Sequence, residues 1–196
     1  LYNSTLASGS NSNNKFYTNT IQNCNHGIAL MGYADPTPPY LLGDANNDVG
    51  GSSALTGNTI INYGGGGIVA SAAIRVNNQW GINISYNTIN NNNGSGVNHP
   101  GVLRGIYAQP GGAGASATIS NNSINLKSAA TASNFTGIEN NQGAGGSSNI
   151  ITISNNTITG ISSATSPSSA FLGVSNTSAA IANTVNINGN IVENSP

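Results

Sequence analysis

Ile82-Asn83-Ile84-Ser85-Tyr86-Asn87-Thr88-Ile89 spells out a phrase: apolar, any residue, apolar, two residues, then Asn, Thr or Ser, and Ile. The chain of 196 residues writes this phrase six times. The other copies are Asn14-Lys15-Phe16 to Asn19-Thr20-Ile21, Ser53-Ala54-Leu55 to Asn58-Thr59-Ile60, Ala117-Thr118-Ile119 to Asn122-Ser123-Ile124, Ile151-Thr152-Ile153 to Asn156-Thr157-Ile158, and Val185-Asn186-Ile187 to Asn190-Ile191-Val192. The last has Ile191 in place of Thr, and the copies at 14 and 53 open without an apolar residue. The closing residues fall at 21, 60, 89, 124, 158 and 192, in steps of 39, 29, 35, 34 and 34. A constant phrase with elastic spacing predicts stacked coils whose core rungs are fixed and whose loops vary.

A second phrase, Gly before a β-branched residue, interleaves with the first: Gly27-Ile28, Gly67-Ile68, Gly105-Ile106, Gly137-Ile138 and Gly173-Val174. Each coil then holds an apolar-x-apolar strand, a Thr-Ile strand after the Asn, and a Gly-Ile strand. In the first of these the two apolar side chains point the same way, because residues alternate along a strand. Asn suits the corner that follows, since it tolerates a left-handed backbone and its amide bonds local backbone. With coils at the strand spacing of about 4.8 Å, Asn19, Asn58, Asn87, Asn122, Asn156 and Asn190 are expected to stack into a ladder of amides.

These phrases resemble the right-handed parallel β-helix repeats of pectate-lyase-like proteins, in the Asn-rich, low-charge version of large secreted bacterial surface proteins. Asn47-Asp48-Val49-Gly50-Gly51 through Gly57-Asn58-Thr59-Ile60 is similar to their N-x-I-G-G…G-N-x-I wording. The resemblance covers nearly the whole chain. It implies an all-β, right-handed parallel β-helix of about six coils, running as one unit over 1–196 with a long loop insertion at 31–52. It also implies an extracellular setting, secreted or on a cell surface. It says little of activity, because this fold carries lyases, hydrolases, adhesins and passive stalks.

Composition narrows the partners. Charged residues make up 5%, with four Lys or Arg against five Asp or Glu. Nucleic acid is excluded as a partner, because phosphate binding needs clustered cations. No apolar run approaches the ~18 residues of a membrane span. The one cysteine, Cys24, has no partner for an internal disulfide, and no metal-type Cys or His spacing occurs. Asn-x-Ser/Thr sequences such as Asn83-Ile84-Ser85 overlap the core phrases and are not read as glycosylation sites. Leu1 opens without Met or a signal peptide, and Pro196 follows a full asparagine phrase. The chain therefore reads as an excerpt of a longer protein, with further repeats or end-to-end neighbours as partners.

The loops hold the candidate chemistry. In the 31–52 insertion, prolines 36, 38 and 39 predict a stiff excursion, with Tyr33 and Tyr40 either packing it onto the coil or meeting a polysaccharide or protein. Asp44, Asn46 and Asp48 have a D-x-N-x-D spacing suited to a Ca²⁺ turn, although Val49 and Leu55 stand where an EF-hand needs Gly and Glu. On the Gly-Ile strands the outward residues are expected to be Ala29, Val69, Tyr107, Glu139 and Ser175. One carboxylate in such a row makes neither a calcium cage nor the paired carboxylates of glycoside hydrolysis. His26 and His99 read as loop histidines, and Arg75 and Arg104 as projecting to solvent. No catalytic residue is assigned. The expected role is a structural, adhesin-like rod. The alternatives are a carbohydrate-active enzyme whose catalytic coil lies elsewhere, or an ice- or polysaccharide-surface binder using the row Thr59, Thr88, Ser123 and Thr157.

Overall fold

A computed structural model describes residues 6–94, 96, 98–109, 111–146, 148–162, 168–177 and 182–195. Three parallel sheets stack around one core and form a β-solenoid of about five turns. The first sheet has six strands: Lys15–Phe16, Asp48–Val49, Ile82–Ser85, Ala117–Ser120, Ile150–Ser154 and Thr184–Asn188. The second also has six: Thr20–Gln22, Thr59–Ile61, Thr88–Asn90, Ser123–Ser128, Thr157–Ser162 and Ile191–Ser195. The third has five: His26–Met31, Ser71–Asn77, Leu103–Ala108, Phe135–Asn140 and Phe171–Asn176. The expected six coils are thus present in two sheets and five in the third. Helix is confined, among the described residues, to one 3₁₀ turn at Ala7–Gly9. Among the described residues, no helix is long and apolar enough to cross a membrane.

Isoleucine columns fill the interior. Ile84, Ile119 and Ile153 come from the first sheet, Ile60, Ile89, Ile124 and Ile158 from the second, and Ile28, Ile74, Ile106 and Ile138 from the third, all buried. Each such side chain contributes roughly 1.5–3 kcal/mol on burial. Val192, which closes the sixth phrase, is 48% exposed because no described rung covers it. The glycine of the Gly-Ile phrase has a packing cause. A Cβ on Gly27, Gly105 or Gly137 would stand 2.3–2.7 Å from the Cγ2 of Ile60, Ile124 or Ile158. Bare backbone lets the second sheet's isoleucines close against the third sheet.

The asparagine ladder runs unbroken. Between successive coils, from Asn19 to Asn190, the upstream Nδ2 donates to the next Oδ1 at 2.8–3.0 Å. The upstream backbone N–H reaches the same Oδ1 at 2.9–3.2 Å. The second Nδ2 hydrogen goes back to the carbonyls of Phe16, Val49, Ile84, Ile119 and Ile153 at 2.7–3.0 Å. The left-handed residue of this corner is not the ladder Asn, as the sequence suggested. It is the residue before it: Thr18, Tyr86, Asn121, Asn155 and Gly189, with φ between 54° and 62°. Turning the chain one residue early aims the Asn N–H along the stack, where one Oδ1 receives both donors.

The second coil departs from expectation twice. Val49, not Leu55, takes the inward place, in register with Phe16 and Ile84. Ser53, Ala54 and Leu55 belong to an excursion that leaves the sheet at Gly50 and Gly51 (φ 107° and 78°), and Leu55 is 88% exposed. The Thr56 hydroxyl closes this excursion on the Gly50 and Ser53 carbonyls. In the third sheet, Ala73-Ile74 replaces Gly67-Ile68, and Ile68 is 81% exposed. The expected insertion at 31–52 therefore contains strand: Met31 ends one strand, and Asp44–Ala45 pairs with Gln79–Trp80 just before Asp48–Val49.

Candidate functional site

The corrected register of the third sheet gathers the chain's arginines on one outer face. Along one outward column lie His26, Ala72, Arg104, Thr136 and Leu172; along the next, Ala29, Arg75, Tyr107, Glu139 and Ser175. Arg75 thus holds the place assigned to Val69. It is flanked by buried Ile74 and Val76, so strand alternation turns it outward.

The polar groups of this face engage one another. Arg104 Nε donates to Glu139 Oε2 at 2.5 Å, with side chains 18% and 16% exposed. The Arg104 guanidinium also lies 4.1 Å above the Tyr107 ring centroid, within cation–π range. Asn141 Nδ2 donates to the other Glu139 oxygen at 3.1 Å. Arg75 Nε donates to Gln109 Oε1 at 2.7 Å. His26 Nδ1 lies 3.1 Å from the Ala72 N–H and 3.3 Å from the Ala72 carbonyl. Between these groups is a cleft of about 100 Å³, lined by His26, Ser71, Arg75, Arg104 and Tyr107 with Ala70 and Ala72. Glu139 therefore has a cation beside it, and Arg104 lies along the sheet instead of projecting. Arg104 sits opposite Thr136 and Tyr107 opposite Glu139, so the ion pair runs diagonally between neighbouring strands and no direct rung pairing announces it. Aligning Gly67-Ile68 in place of Ala73-Ile74 hid a different residue, Arg75, from the outward column.

The face offers two guanidiniums, one aromatic ring and one carboxylate already closed on Arg104. Such a set can donate hydrogen bonds to oxygen atoms and stack against a ring face. General acid–base work by paired carboxylates needs a second acid within reach, and the outward columns supply none among the described residues.

The suggested calcium turn is spread over two strands, with Asn46 at a left-handed corner between them (φ 55°). Asp44, nearly buried, accepts from the Asn11 N–H at 2.9 Å and Gln79 Nε2 at 3.4 Å. Asp48 accepts from Gly51 N–H, Asn83 Nδ2 and the Tyr17 hydroxyl at 2.5–2.9 Å. Both carboxylates act as fasteners between coils. The bond to Asp48 raises the Tyr17 hydroxyl above its ordinary range. No group of three or more His, Cys, Asp or Glu able to hold a metal ion occurs among the described residues.

Other candidates fall elsewhere. His99 is a buried loop residue whose Nδ1 meets the Gly65 carbonyl at 3.1 Å. Cys24 is half-buried, and that burial raises its thiol. Tyr63 is fully buried with its hydroxyl donating to the Arg104 carbonyl at 2.8 Å, and burial holds it protonated well above pH 10. The threonine row is real. Thr20, Thr59, Thr88, Ser123 and Thr157 align on the second sheet, beside a mixed column of Gln22, Ile61, Asn90, Asn125 and Thr159. No protein-family model matches the chain, and no curated protein or solved structure matches it.

Proposed function

We propose that the chain is a structural segment of a secreted or cell-surface protein, a rigid rod that spaces and presents loops. It would be built from right-handed β-helix repeats of the pectate-lyase-like, adhesin-associated kind. The observation that carries this reading is the asparagine ladder, which repeats one bonding pattern at all five coil-to-coil steps. A continuous amide column, buried from Asn58 to Asn156, fastens every coil to the next and resists local opening, which suits a load-bearing element. Low charge and parallel strand pairing along the stack agree with an uncharged, protease-resistant rod.

A second reading rests on the arginine face. Arg75, Arg104, Tyr107 and His26 around one cleft favour contact with a polysaccharide, as in a carbohydrate-active β-helix. One experiment separates the two. The purified chain is incubated with pectin, alginate and neutral polymers, with and without Ca²⁺, and assayed for unsaturated products and new reducing ends. The rod reading expects no turnover. Turnover that disappears in Glu139→Gln would overturn it and establish the enzyme.

A further inference from the structure

We propose that a crevice on the opposite edge of the third sheet binds a neutral sugar residue. It lies among the loops that follow the third-sheet strands, whereas the arginine cleft opens toward the loop before Ser71. Its volume is about 320 Å³, and it is lined by Pro38 and Tyr40, by Gly114 packed against the Tyr40 ring, and by Gly145, Gly146, Ser148 and Asn149.

Tyr40 is held as a rigid platform. Its ring stacks on Trp80 with centroids 5.4 Å apart and planes 24° apart. Trp80 is itself fixed, its Nε1 donating to the Ala113 carbonyl at 3.1 Å. Gly43 packs so closely on the indole that a Cβ there would come within 2.3 Å of Cζ3. Asp35 ties the loop together, its two oxygens accepting from the Thr37 and Leu42 N–H groups at 3.1 and 2.7 Å. Tyr40 has φ of 62°, an unfavourable backbone for a bulky side chain. Tyr86 shares this backbone at a ladder corner, and the remaining left-handed non-glycine residues are asparagines and Thr18, so the φ of Tyr40 belongs to the loop's turn.

The chemistry of the walls selects the ligand. A pyranose presents a face of C–H groups to an aromatic ring and hydroxyls at its rim. Tyr40 and Pro38 offer the apolar wall. Elsewhere in the lining, Gly145 and Gly146 expose backbone instead of side chains, and Ser148 adds a hydroxyl. No described lining residue bears a charge, so a uronate, sulfate or phosphate would lie without a counter-ion. The volume sits at the lower end of small-ligand sites, about 300–1,000 Å³.

Trp80 is the only tryptophan and lies behind Tyr40, so its fluorescence reports on the site. The full chain is titrated with neutral gluco-, manno-, galacto- and xylo-oligosaccharides and, in parallel, with acidic oligouronides. The expected result is a saturable change with at least one neutral series. Affinity should fall about tenfold or more in Tyr40→Ala and persist in Tyr40→Phe. Ser148→Tyr, which adds bulk to the crevice from a lining residue outside the proline loop, should also abolish it. The proposal is overturned if no neutral series changes the fluorescence, if Ser148→Tyr binds like the parent, or if the oligouronides bind in preference. None of these outcomes bears on the rod reading, which rests on the ladder.

Discussion

Asn122→Ala is the sharpest test of what holds the coils together. The side chain takes part in four bonds: its Oδ1 accepts from the N–H and Nδ2 of Asn87, and its Nδ2 donates to Asn156 Oδ1 and the Ile84 carbonyl. Truncation does not orphan every partner. Asn87 Nδ2 keeps the Val49 and Ser85 carbonyls, and Asn156 Oδ1 keeps the Asn122 backbone N–H. The Asn87 N–H, in a fully buried residue, loses its acceptor. One orphaned buried donor costs about 1–3 kcal/mol, and the other lost bonds raise the total to about 2–4 kcal/mol. With a urea slope near 2 kcal/mol/M, the unfolding midpoint should fall by roughly 1–2 M. Asn122→Gly should be no milder than Ala, since Asn122 is not left-handed. Asn19→Ala is the control. Asn19 is exposed, and Asn58 Oδ1 keeps the Asn19 backbone N–H, so the loss should be about 0–1 kcal/mol. Urea titration followed by circular dichroism measures all three. A parental midpoint for Asn122→Ala, or an equal loss for Asn19→Ala, would refute the ladder as the source of coil-to-coil stability.

Two further outcomes are expected. Tyr63 is neutral in both folded and unfolded chains below about pH 10. Above that the unfolded chain ionises first, because burial raises the folded value, so stability should fall by up to about 1.4 kcal/mol per pH unit. Thermal scans between pH 8 and 11.5 should show this decline reduced in Tyr63→Phe, and an unchanged decline would remove Tyr63 as its main cause. In the second coil, Val49→Ala should cost about 2 kcal/mol, from two buried methyl groups and their cavity, whereas Leu55→Ala should stay within about 0.5 kcal/mol. The reverse order in urea denaturation would restore Ser53-Ala54-Leu55 as the rung.

Most of the architecture was legible in the chain. The phrase around Asn87 gave strand, corner and strand, and its six copies gave the stack, because each coil must solve the same packing problem with the same residue types. The inward isoleucines and the stacked amides follow from alternation and register. Where the phrase is interrupted, local wording misleads. Ser53-Ala54-Leu55 and Gly67-Ile68 look like rungs, yet Gly50, Gly51 and the loop before Ser71 carry them off the sheet, and Val49 and Ile74 take their places.

The sequence by itself determined a low-charge parallel stack with an asparagine ladder, since periodic burial and amide pairing are properties of short repeats. Only the tertiary structure decided which outward side chains meet. Arg104 and Glu139 are separated by 35 residues, and Tyr40 and Trp80 by 40, yet each pair is in contact. Contacts across coils depend on loop length, and one misplaced loop shifts every neighbour on the outer face. The core tolerates such loops because the ladder and the isoleucine columns set the register from within.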